Sequence, residues 1–200
     1  MNDSTHRPDL KDTNSTQAEG LASAKRAALL VIDVQQGLCA GPYAAHDSVA
    51  VIARINGLLL RARAAQALVV LVQHEEAEGL VYGSAEWQLA DGLAALPTDA
   101  RVRKQASSAF HQTRLPTLLQ AQGIERVLVC GLQSDYCVDS TVRSALEHHY
   151  AVTLVSDAHT TVDNGQLTAA QITAHHNRTL SNLGGYGVTV TACAAADVVF

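Results

Sequence analysis

Of the side chains able to attack a carbonyl carbon, cysteines come first, and the 200-residue chain has four: Cys39, Cys130, Cys137 and Cys193. They show neither paired close spacing nor the density of a disulfide scaffold, so reduced thiols are expected. Cys130 ends the apolar run Val127 to Cys130 and reads as a small buried group. Cys137 differs, because it follows that run through Gly131-Leu132-Gln133-Ser134-Asp135-Tyr136 and opens a helical pattern. A thiol at a helix N-terminus feels the positive end of the dipole, and a nearby ammonium favours the thiolate further. Lys104, after Arg101-Val102-Arg103, can supply that ammonium. Asp33, closing the run Ala28 to Val34, can accept the thiol proton and return it to a leaving amine. Taken singly, an Asp at a strand end caps a turn and a Lys in a loop is solvated. The case rests on their joint placement.

The histidines invite a metal reading, but His148-His149 and His175-His176 are adjacent pairs. On a helix two such rings point about 100° apart, so no metal site is expected. Gln35, Trp87, Phe110 and Tyr136 flank the proposed site and are the candidates for substrate contact.

These residues need elements that bring them together. Short Val/Leu-rich runs at Ala28 to Val34, Leu68 to Val72, Val127 to Cys130, Val152 to Val155 and Val188 to Val190 read as strands buried on both faces. A short edge strand is expected around Arg101 to Arg103. Between them, Val51, Ile52, Ile55, Leu58, Leu59 and Ala62 form one apolar helical stripe, with Asp47 or Ser48 as its cap. Leu115, Leu118 and Leu119 mark a second helix that Gly123 can end. Val138, Val142, Ala145 and His149 mark a third, and a fourth runs from about Gln166 to Asn182. Strands alternating with helices imply a three-layer α/β/α sandwich around a mostly parallel sheet. Ligands bind such sheets beyond the carboxyl ends of the strands where strand order reverses, and Asp33 and Cys137 map there. His74 to Phe110 breaks the alternation and is expected to wall a pocket.

Composition bounds the rest. With 48% hydrophobic and 16% charged residues, the chain suits one globular domain, read as residues 25–200 behind a disordered polar tail, residues 1–24. The net charge of -5 comes from scattered acids, so no basic face is offered to nucleic acid or anionic lipid. No apolar stretch approaches the roughly 20 residues that span a bilayer, and the N-terminus lacks the apolar segment of a secretory signal. A cytoplasmic protein acting on a small molecule is expected.

The chain resembles the isochorismatase-like cysteine hydrolases, the superfamily of nicotinamidases, carbamoylsarcosine amidases and related amide hydrolases. The resemblance runs from about Ala27 to Val190. It is carried by Gly131-Leu132-Gln133-Ser134-Asp135-Tyr136-Cys137-Val138 with Thr141 and Arg143, by Leu30-Val31-Ile32-Asp33-Val34-Gln35, and by Lys104 with Ser108-Ala109-Phe110. It implies an Asp33-Lys104-Cys137 triad, a thioester intermediate, an oxyanion hole of the Gln133 and Cys137 backbone N–H groups, and a cis peptide between Leu132 and Gln133. Nicotinamidases carry an Asp-x-His pair after the second strand, whereas this chain has Gln73-His74-Glu75. The resemblance therefore implies a site without zinc or other cofactor and speaks against nicotinamidase activity. Cys137 speaks against the branch that cleaves a vinyl ether. The expected reaction is cleavage of a carbon-nitrogen bond in a small amide, carbamoyl or lactam. The alternatives are an isochorismatase-type ether hydrolase and a silent metabolite-binding member. Family members are commonly oligomeric, which implies a homo-oligomer.

Overall fold

The computed structural model describes residues 26–200. The proposed tail lies outside the described residues. Six strands form one parallel sheet: β1 (Ala27–Ile32), β2 (Leu68–His74), β3 (Ala100–Lys104), β4 (Arg126–Leu132), β5 (Ala151–Thr160) and β6 (Val190–Cys193). The spatial order is β3-β2-β1-β4-β5-β6. The chain winds outward from β1 to one edge and then returns beside β1 to build the other half. The gap between β1 and β4 is therefore the point where the winding reverses.

The helices are α1 (Gln36–Cys39), α2 (Ser48–Ala64), α3 (Leu115–Ala121), α4 (Asp139–Glu147) and α5 (Ala169–Leu180). Alternation along the strands divides the core into two layers. Leu29, Val31, Val69 and Leu71 face Ile55, Leu58 and Leu59 of α2. Leu30, Ile32, Val70 and Val72 face Leu115 and Leu119 of α3 and Val142 and Leu146 of α4. Each such Leu or Ile, fully removed from water, contributes roughly 1.5–3 kcal/mol. The sandwich is three-layered, as its residue pattern predicts.

The details differ from the sequence reading where backbone geometry intervenes. β1 stops at Ile32 and not at Val34, because Asp33 adopts φ 50° and turns the chain out of the sheet. Neither Asp47 nor Ser48 caps α2 through its side chain: Asp47 is left-handed, and Ser48 donates its hydroxyl to the Cys39 carbonyl. Gly123, at φ 61°, does end α3, with the Ile124 N–H reaching back to the Leu119 carbonyl. α5 begins at a capping box, Thr168 with Gln171, which the sequence reading passed over. β6 starts at Val190, after the turns at Gly185 and Gly187.

One glycine is indispensable. Gly131 sits opposite Ile32 in the β1–β4 ladder with φ 112°, and a Cβ there would lie 2.0 Å from the Ile32 carbonyl oxygen. Backbone, not a flexible side chain, fills that space, so nothing can yield cheaply. Gly131→Ala is expected to destabilise the protein by about 3 kcal/mol or more. Urea unfolding monitored by circular dichroism measures this; a midpoint within error of wild type would refute it.

Candidate active site

The loops after β1 and β4 and the last residue of β3 meet at the carboxyl edge of the sheet. Asp33 leaves β1 with its N–H donated to the Val72 carbonyl at 2.9 Å, which fixes where its carboxylate emerges. Lys104 is the final residue of β3 and is paired in register with His74 of β2. Cys137 lies in a single π-helical turn, Ser134–Val138, between β4 and α4. The expected helix from Val138 thus starts one residue later, as α4, behind this wider turn. Such turns recur at functional sites.

The three side chains converge. Lys104 Nζ lies 2.7 Å from Asp33 Oδ2, in an ion pair whose side chains are 0% and 1% exposed. The same ammonium donates to Cys137 Sγ at 3.1 Å and to the Ala106 carbonyl at 3.1 Å. His74 Nδ1 is 3.2 Å away on its fourth side. These four neighbours enclose the ammonium. Asp33 Oδ1 is buried without a hydrogen-bond partner, and Oδ2 meets only the Lys104 ammonium in the ion pair.

The loop after Lys104 is stapled to the helix after Cys137. The Ala109 N–H donates to buried Thr141 Oγ1 at 3.1 Å, and Ser108 Oγ donates to Ser144 Oγ at 2.8 Å. These two bonds tie the loop after Lys104 to α4. Arg143 instead pairs with Asp139 along α4.

Titration follows from this packing. Burial raises the Asp33 carboxyl above its ordinary value, against the opposing pull of Lys104. Burial by itself would lower Lys104, but Asp33 and Cys137 outweigh it and hold the ammonium above the usual lysine value. The Cys137 thiol is pushed up to about 12, first by burial and then by Asp33. Lys104 does favour the thiolate, as expected from sequence, yet it is outweighed. Burial and Asp33 together thus favour the protonated thiol. Burial and the Lys104 ammonium hold His74 below its usual range, leaving Nδ1 free to accept from Lys104.

The peptide between Leu132 and Gln133 is cis. The Gln133 carbonyl accepts from the Tyr136 and Val138 N–H groups, at 3.1 Å each, which curls the turn around Cys137. A cavity of about 510 Å³ lined by Leu38, Tyr43, His46, Gln133 and Asp163 opens on one side of the turn. Another of about 340 Å³, lined by Glu75, Arg103, Lys104, Gln105 and His111, reaches Lys104 from the β3 edge. A wider cavity of about 620 Å³ lies at the opposite end of the sheet, around Arg63, Leu68 and Asp99. The Arg63–Asp99 ion pair already satisfies its charges, and no strand presents its carboxyl end there.

The substrate candidates separate. Gln35 is fully buried; its amide donates to the His74 and Trp87 carbonyls and accepts from the His74 N–H, so it straps β2 to the segment that follows. Phe110 is a core residue that stacks on His148 at 4.9 Å, in the same core layer that Cys137 packs against. Tyr136 is 55% exposed at the rim. Trp87 packs edge-on against Tyr82 at 4.8 Å, and its indole Nε1 is buried without a partner. The sequence reading missed His74 as a neighbour of Lys104; its one signal was the shared register of two strand ends.

The isochorismatase-domain profile matches residues 27–194. The chain belongs to the isochorismatase family. A streptothricin hydrolase of Streptomyces noursei is 41% identical over 138 residues, covering 68% of this chain and 50% of that protein. A ureidoacrylate amidohydrolase of Caulobacter vibrioides is 31% identical over 94 residues, 46% of this chain and 42% of that one. The chain thus matches about half the length of these curated relatives. A solved isochorismatase family protein superposes with a TM-score of 0.77 at 36% identity, covering 84% of this chain and 99% of that one. Among the described residues, no group of three or more His, Cys, Asp or Glu side chains is arranged to hold a metal. No helix among them is long and apolar enough to cross a membrane.

Because Asp33 raises the Cys137 thiol and Lys104 lowers it, removing the carboxylate has a definite sign. Asp33→Asn is expected to speed iodoacetamide alkylation of Cys137 at pH 7–8, by about tenfold if the thiol falls by one pH unit. Wild-type Cys137 should gain reactivity only as pH climbs toward about 12. Peptide mass spectrometry across pH reads both; slower alkylation in Asp33→Asn would contradict the electrostatic assignment.

Proposed function

We propose that this hydrolase cleaves a carbon-nitrogen bond of a small amide, carbamoyl or lactam substrate through a thioester on Cys137, with Asp33, Lys104 and Cys137 as its triad. The observation that carries the reading is the contact chain from Asp33 through Lys104 to Cys137 Sγ, at 2.7 and 3.1 Å, with a carboxylate oxygen left unpartnered beside it. A relative named as a ureidoacrylate amidohydrolase supports the same bond type.

In the forward direction Asp33 takes the Cys137 proton as sulfur bonds to the carbonyl carbon. Its burial-raised carboxyl makes it the stronger base. The N–H groups of Gln133 and Cys137 receive the oxyanion. Asp33 then gives its proton to the nitrogen, the carbon-nitrogen bond breaks and the amine leaves. Water attacks the thioester, Asp33 takes one of its protons, and the thiol is restored as the acid departs. Lys104 keeps its charge throughout and holds the other two groups in place.

Trp87 joins the substrate contacts in this reading, because its buried indole N–H lacks an acceptor that a substrate oxygen can supply. Four unpaired cysteines suit the reducing cytoplasm. The outward face of α2, with Val49 and Leu60 exposed, suits a homo-oligomer.

Ammonia release across a panel of small amides, carbamoyl compounds and lactams tests the reaction. Cys137→Ala is expected to lower turnover by at least ~10³-fold with the melting temperature preserved. Undiminished turnover in Cys137→Ala, or turnover confined to vinyl ethers, would overturn the reading. Trp87→Phe is expected to raise KM about 3- to 10-fold, the worth of one hydrogen bond; an unchanged KM would remove Trp87 from the site.

A further inference from the structure

Behind the catalytic turn lies a line of polar side chains that the mechanism above does not use. Ser134, the first residue of the turn, is fully buried, and its Oγ is 2.7 Å from His159 Nδ1 and 3.1 Å from Thr173 Oγ1. His159 Nε2 is 2.9 Å from Asn177 Oδ1, and Asn177 Nδ2 donates to the Ser156 carbonyl at 2.9 Å. The donors can be ordered from that last bond. With the Asn177 amide nitrogen given to a carbonyl, its oxygen must accept, so His159 carries its proton on Nε2. Nδ1 is then an acceptor, Ser134 donates to it, and Thr173 donates to Ser134. Burial pushes His159 down to about 4, which keeps the ring neutral and this order intact near neutral pH.

The backbone brings His159 to this position. Val129 pairs with Leu154, yet two residues later Gly131 pairs with His159, so β5 loops out between these pairs. His159 therefore stands beside Gly131, next to the peptide that leads into the turn. A second bond from the same strand end, Thr161 Oγ1 to Asp135 Oδ1 at 2.6 Å, holds the next residue of the turn. β5 and α5 thus grip Ser134 and Asp135, which lie between the Gln133 and Cys137 amides.

We propose that His159 is a positioning residue, acting through Ser134 to fix the turn that carries the Gln133 and Cys137 N–H groups and the nucleophile. The inference rests on the thioester reading above. It assigns the essential contact to one ring nitrogen, Nδ1, and gives Nε2 the lesser task of holding the ring. Asn carries its amide oxygen near the place of Nδ1, and Gln carries its amide near the place of Nε2. The two substitutions therefore separate the contacts.

The test is acylation of the full chain by p-nitrophenyl acetate, followed as the burst of p-nitrophenolate with the acetyl adduct located by mass spectrometry and Cys137→Ala as the blank. His159→Asn is expected to keep the burst rate constant within about threefold of wild type, and His159→Gln to lose about tenfold or more. The ester concentration giving half the maximal rate should change little in either. Ser134→Ala, which removes one oxygen and leaves the ring in place, should lose rate like His159→Gln. Equal rates in the Asn and Gln variants, or a wild-type rate in Ser134→Ala, would overturn the positioning role, since a residue that merely fills the core would not rank the two amides by rate. No acetyl adduct on Cys137 in the wild type would instead overturn the thioester reading, and the inference with it.

Discussion

The contact between Lys104 and Asp33 constrains everything around it. Two opposite charges at 2.7 Å, with neither side chain more than 1% exposed, lose several kcal/mol of hydration each, and only close pairing and further hydrogen bonds can offset that loss. The surroundings supply those bonds. The Ala106 carbonyl, His74 Nδ1 and Cys137 Sγ complete the ammonium shell, while the Asp33 turn is pinned to β2 through the Val72 carbonyl. A parallel sheet with β1 at its centre and β3 at its edge is what lets residues so distant in sequence share one buried volume. Asp33 and burial also raise the Cys137 thiol, against the pull of Lys104.

Much of this was legible from the residues. Apolar runs marked the strands, the stripe from Val51 to Ala62 marked the long helix, and the Asp33 and Cys137 positions followed from the rule that α/β sheets bind at their carboxyl ends. Other features were hidden because they depend on angles or on partners remote in sequence. The left-handed Asp33 and the π-helical turn before α4 leave no periodic trace. Gln35 reads as a polar residue beside a site, yet its amide is enclosed by carbonyls from two other segments. Phe110 follows Lys104 closely in the chain, yet its ring is buried in the core against His148. His159 drew no reading from the sequence, and only the slip in the β4–β5 register brings it to Ser134.

The candidate triad and the rim around it come from different parts of the chain. Strand ends and the turn before α4 supply Asp33, Lys104 and Cys137, all anchored in the two core layers. The segment between β2 and β3 supplies the aromatic and acidic rim. Tyr82 stacks under the Arg103 guanidinium at 4.0 Å, and Arg103 is in turn paired with Glu75. These contacts join the rim to β3 and so to Lys104 itself.

That segment also takes the place of the crossover helix that a parallel strand pair usually has. Leu89, Ala90, Leu93 and Ala95 fill the core layer beside α2, and the Gln36, Gly37 and Ala90 N–H groups bond it to the exit of β1. Such a segment is masonry rather than a door: swinging it outward would uncover the core. The tip around Glu76 to Gly79 and Val81 to Gly83 stands clear of the core, on either side of the buried peg Leu80. Lengthening or trimming that tip therefore leaves the masonry in place.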